Sequence, residues 1–266
     1  MKGQPAVLMY HVVGTAPSDA NQIERELIVD PGEFEWQMGD LAARGCRTLT
    51  LDEFWDVIEG APLAEQALLV TFDDAYAGVD QMVTPILQRH GFSAVMFAPY
   101  EHLGANNSWD AGLKHLASLP IANHDQIRSM RSGPWEIASH GLRHVDLTSL
   151  TVDQCRKELA ESRERLSALV GEPVRDLAYP YGHHNENVRK AARSAGYRMA
   201  FTAGASPYSD RMALDRRPMH GTDSRAVFRM KTARSASWLY SVAGLAPGWA
   251  RSAARRLAVT ATAGKP

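Results

Sequence analysis

An apolar run, Ala67-Leu68-Leu69-Val70, leads through Thr71-Phe72 into two adjacent carboxylates, Asp73 and Asp74, and a helix-like segment follows. Such a run reads as a strand buried on both faces, as in a parallel sheet. Sites in α/β folds form at the carboxyl ends of strands, where these two acids stand. Neighbouring like charges repel unless a cation lies between them or one has a separate proton-transfer task. The competing reading is a helix N-cap, in which Asp73 or Asp74 caps the segment beginning near Ala75.

The same punctuation recurs along the chain. Strands are expected at Ala6–Tyr10, Thr48–Leu49, Ala67–Thr71, Ser93–Phe97, Trp135–Ser139, Asp176–Ala178, Arg198–Thr202 and Arg216–His220. Between them, helical spacing of apolar residues with glycine stops marks helices around Phe34–Leu41, Asp52–Glu59, Val79–Leu87 and Glu186–Ala195, and a long one from the Thr151 cap to Gly171. The stretch from about 12 to 31 reads as polar loop, and Pro99 to Asn123 as a long insertion of the kind that forms lids or binding loops. Strand and helix alternate with no break in composition. The expectation is therefore one α/β domain, barrel-like rather than split in two.

Charge is unevenly spread. From Ser224 to Pro266 there are eight Lys/Arg and no Asp/Glu, whereas the rest holds 30 acids against 21 bases. This divides the chain into a body, residues 1–222, expected to carry any catalytic site, and 223–266, expected as a basic C-terminal helical extension. Within Ala236–Ala263, aromatic and aliphatic residues mix with Arg251, Arg255 and Arg256. That mixture suits a peripheral membrane contact; a helix packed on the barrel with a solvated basic face is the alternative. The body carries no nucleic-acid-binding motif. Cys46 and Cys155 lack ligand-like spacing and are expected to be free thiols. No apolar run is long enough for a membrane span or a signal-peptide core, so a cytoplasmic location is expected, with membrane association through the tail.

A second chemical stretch, Ser139-His140-Gly141-Leu142-Arg143-His144, also follows a strand. If the chain turns helically there, His140 and His144 face the same way. Two histidines and a carboxylate are the minimal facial set for a catalytic divalent metal. Asp74 supplies the carboxylate, which leaves Asp73 as a general base beside the metal-bound water. A third strand end carries Tyr179-Pro180-Tyr181-Gly182.

These stretches resemble the polysaccharide deacetylase family, carbohydrate esterase family 4, with its NodB homology domain. Thr71-Phe72-Asp73-Asp74-Ala75 resembles T-F-D-D-[GA], and Ser139–His144 resembles S-H-[ST]-x-x-H with Gly141 and Leu142 departing. Ala178–Gly182 resembles R-x-P-Y-G, while Leu8–His11 and Asn107-Ser108-Trp109-Asp110 fit one branch. The likeness spans most of residues 6–222.

The resemblance implies a distorted (β/α) barrel with about seven parallel strands, and metal-dependent hydrolysis of an N-acetyl group from an amino sugar in a poly- or oligosaccharide. Asp74, His140 and His144 would bind one divalent ion, zinc before cobalt or nickel. Asp73 would be the base, the Tyr181 backbone N–H an oxyanion donor, and His220 the acid that protonates the leaving amine, with His183 and His184 as competitors. Tyr181 and Trp109 are candidates to stack on sugar rings, and His11 to line the pocket. The family's base-orienting arginine falls at Ala178, so Arg217 or Arg143 is expected to replace it. Alternatives are a deformylase or deacylase of a lipid-linked amino sugar and a non-catalytic carbohydrate-binding member.

Overall fold

The computed structural model describes residues 4–63, 66–204 and 210–233. In chain order it contains β1 (Ala6–Tyr10), β2 (Val12–Val13), α1 (Gln22–Leu27), β3 (Ile28–Val29), α2 (Pro31–Ala43), β4 (Arg47–Thr48), α3 (Leu51–Ile58) and β5 (Ala67–Phe72). It continues through α4 (Val79–His90), β6 (Ala94–Ala98), α5 (His124–Met130), β7 (Trp135–Ser139), α6 (Val152–Val170), β8 (Asp176–Ala178), α7 (Glu186–Ser194), β9 (Met199–Phe201), β10 (Arg217–Pro218) and α8 (Arg225–Thr232). The main sheet runs β10-β1-β5-β6-β7-β8-β9, every pairing parallel, and β4 adds to the lower part of β5. The expected distorted (β/α) barrel of about seven strands is what forms, curled and with helices outside.

Period-two alternation sorts each strand into an inner and an outer row. Val7, Leu69, Val95, Phe97, Ala138, Ala178, Met199 and Phe201 share one apolar cluster inside the curl. Leu8, Leu68, Val70, Phe72, Met96, Ile137 and Leu177 belong to the larger cluster under the surrounding helices. Helix α3 contributes Leu51 and Phe54 to the inner cluster and closes the barrel floor. A capping box starts α3: Thr50 Oγ1 accepts from Glu53 N, and Glu53 returns the bond to Thr50 N.

Two local features differ from the sequence expectations, and a third bears on the expected domain boundary. The polar loop after β1 contains α1 and the two-residue pair β2–β3. Asn21 and Glu24 form a capping box there, a legible signal in a segment otherwise too polar to announce a helix. Residues 140–146 do not turn helically: Gly141 and His144 both have positive φ, and the Glu158 carboxylate takes the N–H groups of Leu142 and Arg143 that a helix would have used. Finally, bonds cross the boundary expected at 222/223. His220 N donates to Asp223 Oδ2, Lys231 reaches Pro218 O, and Phe228 of α8 packs on Trp36 of α2. The tail reading for Ala236–Ala263 lies outside the described residues. Among the described residues no helix is long and apolar enough to cross a membrane. Both cysteines are free, Cys155 buried and Cys46 half-buried.

Candidate metal centre

Asp73 continues the inner row of β5 after Leu69 and Thr71, so it points into the barrel mouth. Its N–H bonds to Tyr10 O at 3.0 Å, which fixes the strand end beside β1. Asp74 and Ala75 then take left-handed φ values of 72° and 55°. His144 (50°) and Tyr181 (59°) do the same, so four of the five described non-glycine residues with positive φ cluster here. Such conformations cost of order 1–3 kcal/mol each and persist only where surrounding structure enforces them.

Asp74, His140 and His144 come together, each offering one ligand atom within 4.8 Å of the others, all three side chains buried. Nε2 of His140 lies 3.4 Å and Nε2 of His144 3.1 Å from Asp74 Oδ1. Nδ1 of His140 lies 2.8 Å from the Ala178 carbonyl, which can only accept, so Nδ1 carries a proton and in the neutral ring Nε2 keeps its lone pair. Asp74 Oδ1 is buried without a well-formed hydrogen bond. An orphaned carboxylate oxygen faced by two imidazole nitrogens is a donor set that fits a divalent cation. Burial pushes the Asp74 carboxyl up, but the two imidazoles outweigh it and hold it well below the usual range.

Asp73 is held by a residue the sequence reading missed. Arg216 Nη1 and Nη2 donate to Asp73 Oδ1 and Oδ2 at 2.7 Å each, and its Nε donates to Thr202 O at 2.7 Å. The guanidinium lies over Phe97 and is 1% exposed. Burial raises the Asp73 carboxyl, and Arg216, with help from His140 and His11, brings it below the ordinary value. The expected substitutes are engaged elsewhere. Arg217 donates to Lys231 O and Ala233 O, and Arg143 pairs with Glu158. Register explains the difference: Arg217 pairs with the outward-facing Leu8, so Arg216 falls in the inner row. Ala178, where the resemblance places the orienting arginine, is a small inner-row residue of the barrel.

The remaining candidates surround this pair. Strand β1 lies between β5 and β10, so His11 follows it between the carboxylates and His220. His220 Nε2 is buried without a partner, and burial, reinforced by Lys231, pushes its pKa down to about 4. His183 pairs with Asp146 at 2.8 Å, and His184 with Arg189 at 3.2 Å. The Tyr181 ring meets His144 edge-on at 4.8 Å, and Trp109 stacks on His144 at 4.3 Å. Gly182 follows Tyr181 with φ 70°, and a Cβ there would lie 2.4 Å from Ala203 Cβ, so glycine is required.

A buried carboxylate and two imidazoles at the mouth of an α/β barrel, beside a second carboxylate clamped by arginine, form a cluster whose donor atoms could hold a metal ion. The polysaccharide deacetylase family model matches residues 60–200, and the chain belongs to that family. It is 29% identical over 197 residues to YxkH of Bacillus subtilis (strain 168), covering 74% of this chain and 63% of that protein. It is 26% identical over 195 residues to the poly-beta-1,6-N-acetyl-D-glucosamine N-deacetylase of Staphylococcus epidermidis, covering 70% of this chain and 64% of the relative. The chain thus spans under two thirds of both relatives. Its fold is similar to that of the Streptococcus pyogenes deacetylase PplD, with a TM-score of 0.73, 20% identity and coverage of 86% and 98% of the two chains. It is also similar to IcaB from Ammonifex degensii, with a TM-score of 0.71, 21% identity and coverage of 88% and 97%.

Proposed function

We propose that this chain removes N-acetyl groups from an N-acetylglucosamine-containing polymer by metal-assisted hydrolysis. The observation that carries the reading is the Asp74–His140–His144 cluster beside an Asp73 fixed by Arg216. A divalent ion there, zinc before cobalt or nickel, would polarise water and acyl oxygen. Asp73, kept anionic and aimed by the guanidinium, takes the proton of the attacking water. The Tyr181 N–H donates to the oxygen that gains charge as the carbonyl carbon becomes tetrahedral. The amine must leave protonated. His220 is the donor proposed; its low pKa makes it a strong acid once it holds a proton, so it draws that proton from the water split at Asp73. His11 lines the mouth between them, and the exposed parts of Tyr181 and Trp109 bound the sugar. The poly-beta-1,6-N-acetyl-D-glucosamine N-deacetylase relative supports the substrate class.

The test is amine release from β-1,6-linked N-acetylglucosamine oligomers by the metal-stripped full chain, before and after adding zinc, cobalt or nickel. Activity restored by metal and lost in Asp73→Asn is expected. Metal bound with no amine released from sugars would overturn the substrate in favour of another acyl amide, with lipid-linked formamides next. No metal bound would overturn the site and leave a carbohydrate-binding role.

A further inference from the structure

The two histidines of the cluster are oriented by different means. His140 is fixed by its Nδ1–H bond to the Ala178 carbonyl, the usual way a ligating imidazole is aimed. His144 Nδ1 is buried and has no hydrogen-bond partner. Its ring is instead enclosed by aromatic rings: Trp109 stacks on one face, centroids 4.3 Å apart and planes 27° apart, and Tyr181 meets it edge-on. His144 also has a left-handed backbone, so its own turn does not favour the pose.

Trp109 comes from the long insertion after β6, and that insertion is anchored at the same place. Asn107 is fully buried; its Nδ2 donates to Tyr76 Oη at 2.6 Å and to Asp110 Oδ2 at 2.8 Å, and its Oδ1 accepts from Asp110 N. Ala77 N bonds to Pro120 O, and Ala122 N to Ala75 O, so the insertion's far end is tied to the turn that presents Asp74. Since Tyr76 Oη receives the Asn107 amide, its own proton is available to the Asp74 carboxylate. The segment Asn107–Asp110 therefore reaches two of the three ligands, Asp74 through Tyr76 and His144 through the indole face.

We infer that Trp109 is a positioning residue for the metal centre: its indole face holds the His144 imidazole in the ligating pose, replacing the hydrogen bond that His144 lacks. The inference rests on the reading of Asp74, His140 and His144 as a metal site, and it assigns Trp109 a task separate from stacking on sugar. Losing the stack should cost about what losing an outer-shell hydrogen bond costs, roughly ten- to a hundredfold in metal affinity.

The experiment is zinc titration of the full chain against a chelating dye, for the wild type, Trp109→Ala, Trp109→Phe and His144→Ala, with metal-free melting curves alongside. Expected are stoichiometric binding by the wild type, affinity at least about tenfold weaker in Trp109→Ala with unchanged metal-free melting, and affinity within about threefold of wild type in Trp109→Phe, which keeps a ring face. Cobalt should quench tryptophan fluorescence in the wild type and much less in Trp109→Phe, a readout that needs no stable alanine variant. Unchanged zinc affinity in Trp109→Ala, with only KM for the polymer raised, overturns the inference and leaves a sugar platform. Equal cobalt quenching in wild type and Trp109→Phe also overturns it. Failure of the metal site itself is distinct, because then the wild type binds no zinc.

Discussion

The two ends of the barrel interior shift their carboxylates in opposite directions. At the mouth, Asp73 and Asp74 are held below their ordinary values. At the floor, burial raises Glu136 to about 7 and Asp176 to about 6, even though Arg198 pairs with Asp176 at 2.9 and 3.0 Å. Burial acts the same way at both ends, disfavouring the charged form. Partners decide the outcome. Asp73 has a full guanidinium of its own and Asp74 has two imidazoles, whereas at the floor Arg198 is shared among Asp52, Asp176 and Glu136. Glu136 accepts the Leu51 N–H at the start of α3, and Trp55 lies between Arg198 and Arg211. The floor is thus a closure that ties the plug helix to the barrel. The mouth shifts two buried carboxylates toward the anionic form, a state that suits cation binding and proton abstraction.

The largest expected effect that tests this contrast is Arg216→Met. It strands a buried carboxylate, so denaturant melts should show a loss of about 3–5 kcal/mol, and amine release should collapse. Adding Asp73→Asn should recover much of the stability and none of the activity. A stability loss under about 1 kcal/mol would mean that Asp73 does not depend on the guanidinium, and the contrast between the two ends would fail.

The next effect has the opposite sign. Glu136 has a pKa raised from 4.5 to about 7, so the folded state holds an extra proton between those values. Its contribution is therefore fully present below about pH 4.5 and is lost as pH rises through about 7. Glu136→Gln keeps a carbonyl acceptor for Leu51 N and removes the titration. It should raise stability by about 1–2 kcal/mol at pH 8, less than the full shift because the side chain is partly exposed, and change little at pH 4. Thermal melts at the two pH values check it; equal effects at both would break the assignment.

The smallest is Arg198→Lys. Lysine cannot span Asp176 with two donors or stack on Trp55, so a loss of about 1 kcal/mol is expected. Zinc affinity should stay at the wild-type value, because Arg198 pairs with Asp176 and Asp52 at the opposite end of the strands. Weakened zinc binding in this variant would show that the two ends are coupled.

Much of this was legible in the chain itself, for identifiable reasons. Buried parallel strands must be apolar runs and helices must stop, so β5, β7, β8 and the span of α6 from the Thr151 cap to Gly171 could be read directly. That Asp74, His140 and His144 belong together was readable because metal chemistry restricts which side chains can serve and two strand ends carried them. Two-residue pairings such as β2–β3 leave no periodicity to read, and α1 is betrayed only by its Asn21–Glu24 box.

What only the tertiary structure decided is which of two neighbouring arginines enters the barrel. Sequence offers Arg216 and Arg217 alike; a one-residue change in register exchanges inside for outside, and register is set by pairing with Leu8 and Met9, two hundred residues earlier. The same holds for His144, whose spacing from His140 suggested a helix. Its pose comes instead from Glu158 capturing the backbone of the turn and from Trp109 closing over the ring, contacts that distant segments supply.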